Sequence, residues 1–378
     1  MDNKAYWLLA ELVFGIGGKR LWEFIPKNGD PEALCKGLAG AEGLTAGERD
    51  RAAHLRLSDA EALLNEAYEL GQSVTCISDE DFPERLKDLD DCPAVLFYRG
   101  DIGLAAGDVL HMVGTRKPTK YTASLVRVLC HELTVRDFVL SGGMAEGVDT
   151  RVIEETLSRG GRILSVLPCP LEADHPKDNG GLKERLAAEG LVISEQPPES
   201  KARMNFQRRN KLAVALSKAV IVAEAHEDSK GLDNCKQAER LGRPVFAVPP
   251  HLLYSKEYFG QRDLLRAGAE PLFDGSDIVR VLTERGDIRK DTHGTGAAVR
   301  TENASAKTAA KSPEPVFSRE LAPEEKAVTE LLKKHGSLTL EEICEAGGTS
   351  AFYTLPVITG LELDGILTST DEGKYKLN

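Results

Sequence analysis

No stretch of this chain approaches the roughly 18 consecutive apolar residues that a helix needs to cross a bilayer. The opening residues Asp2, Asn3 and Lys4 also lack the apolar run and small-residue cleavage site of a secretory leader, so a cytoplasmic location is expected. The seven cysteines (Cys35, Cys76, Cys92, Cys130, Cys169, Cys235, Cys344) are odd in number, scattered and without a C-x-x-C pair. That spacing suggests neither a zinc site nor a disulfide framework, only reduced thiols. Positive charge is scarce too: the net charge of −12 argues against a surface coated with nucleic acid. A local basic patch can still bind phosphates, because affinity follows local field and not the chain average.

Signs of catalysis are equally thin. The eight histidines have no i, i+4 pairing, and neither a nucleophile–base pair nor a G-x-S-x-G elbow is legible. Glu195 and Glu224, each just beyond an expected strand, invite a hydrolytic reading that nothing else supports. The expectation is a protein that is not an enzyme and uses no cofactor and no metal.

What is present is organisation. At 378 residues and 41% hydrophobic composition, two or three packed domains are expected. Residues 1–70 read as a helical domain of helix-hairpin-helix or SAM-like type, with helices around Tyr6–Val13, Leu21–Ile25 and Ala60–Leu70. Its Phe14-Gly15-Ile16-Gly17-Gly18-Lys19 turn fits a tight interhelical bend better than a phosphate contact, since only Lys19 and Arg20 would help the latter. Residues 71–105 read as a connecting segment with short strands at Ser73–Ile77 and Ala94–Tyr98. From 106 to 283, apolar β-branched runs (Val109–Val113, Phe138–Leu140, Ile163–Leu167, Leu191–Ile193, Val220–Ala223, Val245–Val248) alternate with helix-length stretches. Such alternation specifies βαβ crossovers, hence an α/β, Rossmann-like, doubly wound and mainly parallel sheet. Residues 284–317 carry almost no large apolar side chain and read as a flexible linker.

Residues 318–378 then give three helices and a hairpin turning at Asp371-Glu372-Gly373, the order of a winged helix. This segment has six Lys and Arg against eleven Asp and Glu, and no basic residue in its third helix, Phe352–Asp364. A winged helix that reads a DNA groove needs cations there, so a protein-binding or regulatory role is expected.

In an open α/β sheet, ligands bind beyond the carboxyl ends of the strands. After the first strand of the 106–283 domain stands Gly114-Thr115-Arg116-Lys117-Pro118-Thr119. A glycine for close approach, two hydroxyls, a following helix N-terminus and Arg116 together form a phosphate cradle; a plain βα turn is the competing reading. The second strand runs into Ser141-Gly142-Gly143-Met144-Ala145-Glu146-Gly147-Val148-Asp149, where an anion or sugar site and a structural turn capped by Asp149 stand equal. The strongest signal is Lys201 to Lys211: Lys201, Arg203, Arg208, Arg209 and Lys211, with Phe206 and Asn210 among them and no acid. Cations beside an aromatic ring suit a single strand, whose phosphates pair and whose bases stack. A solvated helix start with Phe206 in the core is the alternative.

In this order the motifs resemble the DprA/Smf family of DNA-processing proteins over nearly the whole chain. Asp81-Phe82-Pro83-Glu84-Arg85-Leu86 and Cys92-Pro93 through Gly100 resemble its lead-in, and Gly114-Thr115-Arg116 with Tyr121 its first phosphate motif. Ser141-Gly142 through Asp149, Phe206 with Arg209-Asn210-Lys211, Gly242 through Pro249 and Leu361 through Gly365 are similar to later family motifs. The resemblance implies a homodimer that binds single-stranded DNA, protects it during natural transformation and helps load a RecA-type recombinase. It would place phosphate at Arg116, with Arg209 and Lys211 nearby and Phe206 stacking. The chain departs from the family at Thr122 (usually Gly), at Thr150-Arg151-Val152 (usually a nearby His), at Ser229 through Cys235, and at Lys211 (usually Arg). Competing readings are a nucleotide-processing enzyme, whose P-G-G-x-G-T-x-x-E signature is missing, and a nucleotide-sensing regulator, which the acidic winged helix disfavours.

Overall fold

A computed structural model describes residues 3–176, 179–198, 200, 204–250, 256–289, 293, 321–349, 351–370 and 374–377. The chain divides into two compact units, 1–297 and 298–378.

The first unit opens with helices α1 (Asn3–Phe14), α2 (Leu21–Phe24), α3 (Pro31–Gly37), α4 (Ala46–His54) and α5 (Leu57–Glu69). Strands β1 (Ser73–Cys76), β2 (Val95–Gly100), β3 (Val109–Gly114), β4 (Val139–Ser141), β5 (Arg162–Val166) and β6 (Leu191–Ser194) follow, with β7 (Ala219–Glu224), β8 (Val245–Ala247) and β9 (Glu270–Pro271) after them. They form one sheet in the order β1-β2-β6-β5-β4-β3-β7-β8-β9. From β6 to β9 the pairing is parallel, and β2 runs antiparallel to both of its neighbours. The expected connecting segment 71–105 is therefore part of the sheet: Val95, Leu96 and Phe97 are wholly buried apolar residues that only a sheet position can satisfy.

Crossover helices α6 (Lys120–Val135), α7 (Val148–Leu157), α8 (Gly180–Glu189), α9 (Phe206–Leu216) and α10 (Asp233–Arg240) link the parallel strands, and α11 (Phe259–Arg266) and α12 (Gly275–Glu284) complete the unit. In α6 the buried residues Thr122, Val126, Leu129, Cys130 and Leu133 repeat at helical spacing and make one core-facing stripe. The strand order turns back on itself at β3, flanked by β4 and β7; this is the Rossmann-like switch point, where a crevice opens beyond the carboxyl ends. One continuous apolar core joins α1 and α5 to the sheet, with Trp7, Leu8, Phe97, Leu110 and Phe246 all buried.

The expected linker also begins later than residue 284. Ile288 is buried, and His293 stacks on Phe138 with ring centroids 3.9 Å apart while bonding to the Arg136 carbonyl and Asp108. Ile288 and His293 thus pack on the domain beyond residue 284.

The second unit contains α13 (Pro323–His335), β10 (Ser337–Thr339), α14 (Leu340–Gly347), α15 (Ala351–Leu363), β11 (Leu367–Ser369) and β12 (Lys374–Leu377). The strands pair antiparallel in the order β10-β12-β11, and Val328, Leu332, Ile343, Ile358, Leu361 and Leu367 form its core. The expected turn at Asp371–Gly373 lies outside the described residues.

Candidate nucleic-acid interface

The loop after β3 is held rigid from both sides. Gly147, at φ +87°, brings its backbone against this loop: a Cβ there would stand 2.4 Å from the Thr115 carbonyl oxygen and 2.5 Å from that of Arg116. Val148 donates its N–H to the Thr115 carbonyl at 3.1 Å, and a Cβ on Gly114 would strike Val148 at 2.5 Å. On the other side Thr119 donates both its N–H and its hydroxyl to Glu224 at the end of β7, each at 2.9 Å. Tyr258, buried under α6, places its hydroxyl against those of Thr119 and Thr122. Thr122, where the family usually has glycine, is thus employed.

Of the threonine hydroxyls expected to meet phosphate, that of Thr119 donates to Glu224, whereas that of Thr115 only accepts and keeps its own O–H as a donor. Thr115 Oγ1 accepts the Lys117 N–H, and Thr119 serves Glu224 while capping α6. What the loop does present is charge: Arg116 and Lys117 are exposed, with no ion-pair partner among the described residues.

The loop after β4 behaves differently from the open cradle that its glycines suggest. Ser141, Gly142 and Gly143 are buried, and Ser141 Oγ bonds to His111 Nδ1 at 3.1 Å. Burial pushes His111 down to about 3, so the ring is neutral. The backbone amides of Gly143 and Ala145 favour the charged form of the Asp149 carboxylate, an anion supplied by the chain itself. Burial raises Asp149 above its usual range, against the pull of Arg209, whose guanidinium lies 3.9 Å away. A Cβ on Gly143 would sit 1.8 Å from Arg209 Nη1, so only a glycine leaves room for this guanidinium against the backbone. Arg209 is buried, its Nε has no acceptor, and Arg116 lies within electrostatic reach. The second motif therefore holds the Arg209 guanidinium beside its own carboxylate, Asp149, with Arg116 within electrostatic reach.

The basic run after β6 splits between two tasks. Lys201 and Arg203 lie outside the described residues. Asn205 caps α9 by accepting the Arg208 N–H. Phe206 is 39% exposed, not in the core, and meets the His175 ring edge-on at 5.7 Å. Arg208, by contrast, is opposed: Nε bonds to Glu195 at 2.8 Å, and Nη1 lies 3.0 Å from Asp91. Lys211 pairs with Asp91 at 2.7 Å and remains part-exposed, and Asn210 is half-buried beside it. The run contains no acid in sequence, but β6 and the 84–94 segment bring two to it in space.

Glu195 is consequently a structural counter-ion and Glu224 a loop anchor; they do not form the carboxylate pair that their positions suggested. The Gly15–Gly18 turn packs on that ion pair, since a Cβ on Gly17 would lie 2.7 Å from both Arg208 Nε and Glu195 Oε2. Sequence reasoning missed Tyr258 and Asp91, which belong to no motif, and the packing of Gly17 on the Arg208–Glu195 pair, although its turn was read as a tight bend.

The fold and this arrangement define a Rossmann-like protein with a cationic crest at the topological switch point. A family model described as DNA recombination-mediator protein A matches residues 73–283. The DNA processing protein DprA of Bacillus subtilis is 34% identical over 219 residues, covering 57% of this chain and 73% of that protein. The Streptococcus pneumoniae protein of the same name is 30% identical over 254 residues, covering 67% and 88%. Its crystal structure superposes with a TM-score of 0.65 at 26% identity, covering 74% of this chain and 98% of that one. A Helicobacter pylori DNA processing protein A, whose structure is described for its single-stranded DNA binding mode, gives a TM-score of 0.50 at 29% identity over 57% of this chain and 96% of its own. The chain belongs to the DprA/Smf family.

Proposed function

We propose that this protein binds single-stranded DNA along the crest formed by Arg116, Lys117, Arg209 and Phe206. The observation that carries this reading is the exposed Arg116 and Lys117 at the switch point, without an ion-pair partner among the described residues, with the Arg209 guanidinium within electrostatic reach of Arg116. The positive charges of Arg116, Lys117 and Arg209 repel one another, and a phosphate accepting from the exposed Arg116 and Lys117 relieves that repulsion through charge-assisted hydrogen bonds. Phe206 offers a face on which any base can stack. A relative of this fold is described as binding single-stranded DNA, which agrees with the same assignment here.

From family membership follows the wider proposal: a cytoplasmic homodimer that protects incoming DNA in natural transformation and helps load a RecA-type recombinase, acting by binding and not by catalysis. The N-terminal helices would be the helix-hairpin-helix or SAM-like module. The second unit would be a winged helix that contacts protein.

The test is a salt titration of binding to labelled oligo-dT beside an assay for nucleotide turnover. Three crest cations neutralising phosphates predict a slope of log K against log salt of about −2, at roughly −0.7 per phosphate for single strands. A flat salt response with release of a base from a nucleotide would replace this reading with the nucleotide-processing one.

A further inference from the structure

We propose that the trough between α9 and α10 carries the bound strand onward from the crest, as a second segment of the same DNA site. The inference rests on the crest reading.

The trough is a cavity of about 490 Å³ beside Gly17 and Asp91. From α9 it takes Gln207, Asn210 and Lys211, spaced i, i+3, i+4; from α10 it takes Asp233, Lys236, Gln237 and Arg240, spaced i, i+3, i+4, i+7. Each set is one polar stripe of a helix whose opposite side is in the core, through Leu212 and Ala213 on α9 and Cys235 and Ala238 on α10. Two polar stripes therefore face each other across an open groove.

The chemistry of the stripes suits a polyanion with a mixed-polarity backbone. The amides of Gln207, Asn210 and Gln237 make no side-chain hydrogen bond among the described residues, so each offers a donor and an acceptor to sugars and base edges. Arg240 has no ion pair among the described residues, and Lys236 pairs only with the exposed Asp233. Exposed pairs of this kind are worth about 0–1 kcal/mol, so phosphates displace them readily. Lys211, Lys236 and Arg240 outnumber Asp91 and Asp233, a local excess of cations in a chain of net charge −12.

Continuity selects the occupant. Phe206 and Arg209 look to the crest, and Gln207, Asn210 and Lys211 look to the trough from the same helix, within its first two turns. A strand gripped at Arg116 and Arg209 reaches the trough by following the α9 N-terminus. Nothing comparable links the trough to a separate protein ligand.

The experiment compares salt slopes for the full chain on a dT oligomer of about 6 nucleotides and one of about 20, with oligomer in excess. The double variant Lys236→Ala/Arg240→Ala removes two exposed cations that the crest does not use. Wild type should show the steeper slope on the long oligomer. The variant should lose about 1.4 of that slope, at roughly 0.7 per phosphate, and keep the short-oligomer slope and affinity. Identical long-oligomer slopes for variant and wild type overturn the proposal, as do equal slopes for both lengths in wild type. An unchanged DNA slope with lost binding to a polyglutamate peptide would also overturn it, giving the trough to an acidic protein partner. Failure of the crest reading looks different: the short oligomer then does not bind wild type at all.

Discussion

Glu11 gives the sharpest test of the buried network that fixes α9. Its side chain is 2% exposed and accepts the Ala94 N–H at 2.8 Å. Burial pushes it up to about 8 from 4.5, with Glu195 adding to the shift and Arg208 opposing it. Above pH about 4.5 the unfolded chain releases this proton and the folded chain does not, so the unfolded state binds fewer protons and stability falls as pH rises. The loss continues to pH about 8, where the folded group also ionises. At about 1.36 kcal/mol per unit, the full window is worth on the order of 4 kcal/mol. Glu11→Gln keeps the acceptor for Ala94 and abolishes the titration. Urea unfolding should therefore show the variant gaining on wild type by about 2–4 kcal/mol between pH 5 and pH 8. The two tryptophans, Trp7 and Trp22, lie 5.7 Å apart in the same helical cluster, so intrinsic fluorescence reports on this region. The readout is the change with pH, so any fixed cost of placing an amide beside Gly17 cancels. A variant-to-wild-type difference that stays constant from pH 5 to pH 8 refutes the reasoning and means that Glu11 is ionised in the fold.

Two further substitutions separate the crest's scaffold from its charge. Gly143→Ala drives a methyl into the seat of the Arg209 guanidinium, so oligo-dT affinity should fall about 10- to 100-fold, the worth of one charge-assisted hydrogen bond, as read by anisotropy. Glu224→Ala leaves the Thr119 N–H without its acceptor and should cost about 1–3 kcal/mol in thermal unfolding, whereas Glu224→Gln, which keeps one acceptor, should cost less.

The doubly wound core was readable because β3, β5, β6 and β7 are buried along nearly their whole lengths and therefore appear as continuous apolar runs. The edge was harder. Short strands at Ser73–Ile77 and Ala94–Tyr98 were legible, but nothing in Val95–Phe97 shows that β6 lies beside them, so they read as a connector and not as the sheet's edge. Helices α3 and α4 lack apolar periodicity, although Asp30-Pro31 and the Thr45–Glu48 capping box mark their starts. In the site, Arg116 was visible because it follows a strand and a glycine. The division of Arg208 from Arg209 was not: adjacent helical residues point in different directions, and the acids that neutralise Arg208 come from Asp91 and Glu195. The glycines after β4 announced close approach correctly, but the group approaching is a guanidinium, and composition has no way to distinguish the two.

The central claim is tested most directly by anisotropy of labelled oligo-dT against a matching duplex, for wild type and Arg116→Ala. Arg116 is exposed and has no ion-pair partner among the described residues, so its removal leaves the fold intact and the readout reports binding alone. Preference for the single strand, with a loss of about tenfold or more in the variant, is the predicted result. Equal affinity of wild type and Arg116→Ala, or equal affinity for duplex and single strand, would contradict the placement of a single-stranded DNA site at this crest.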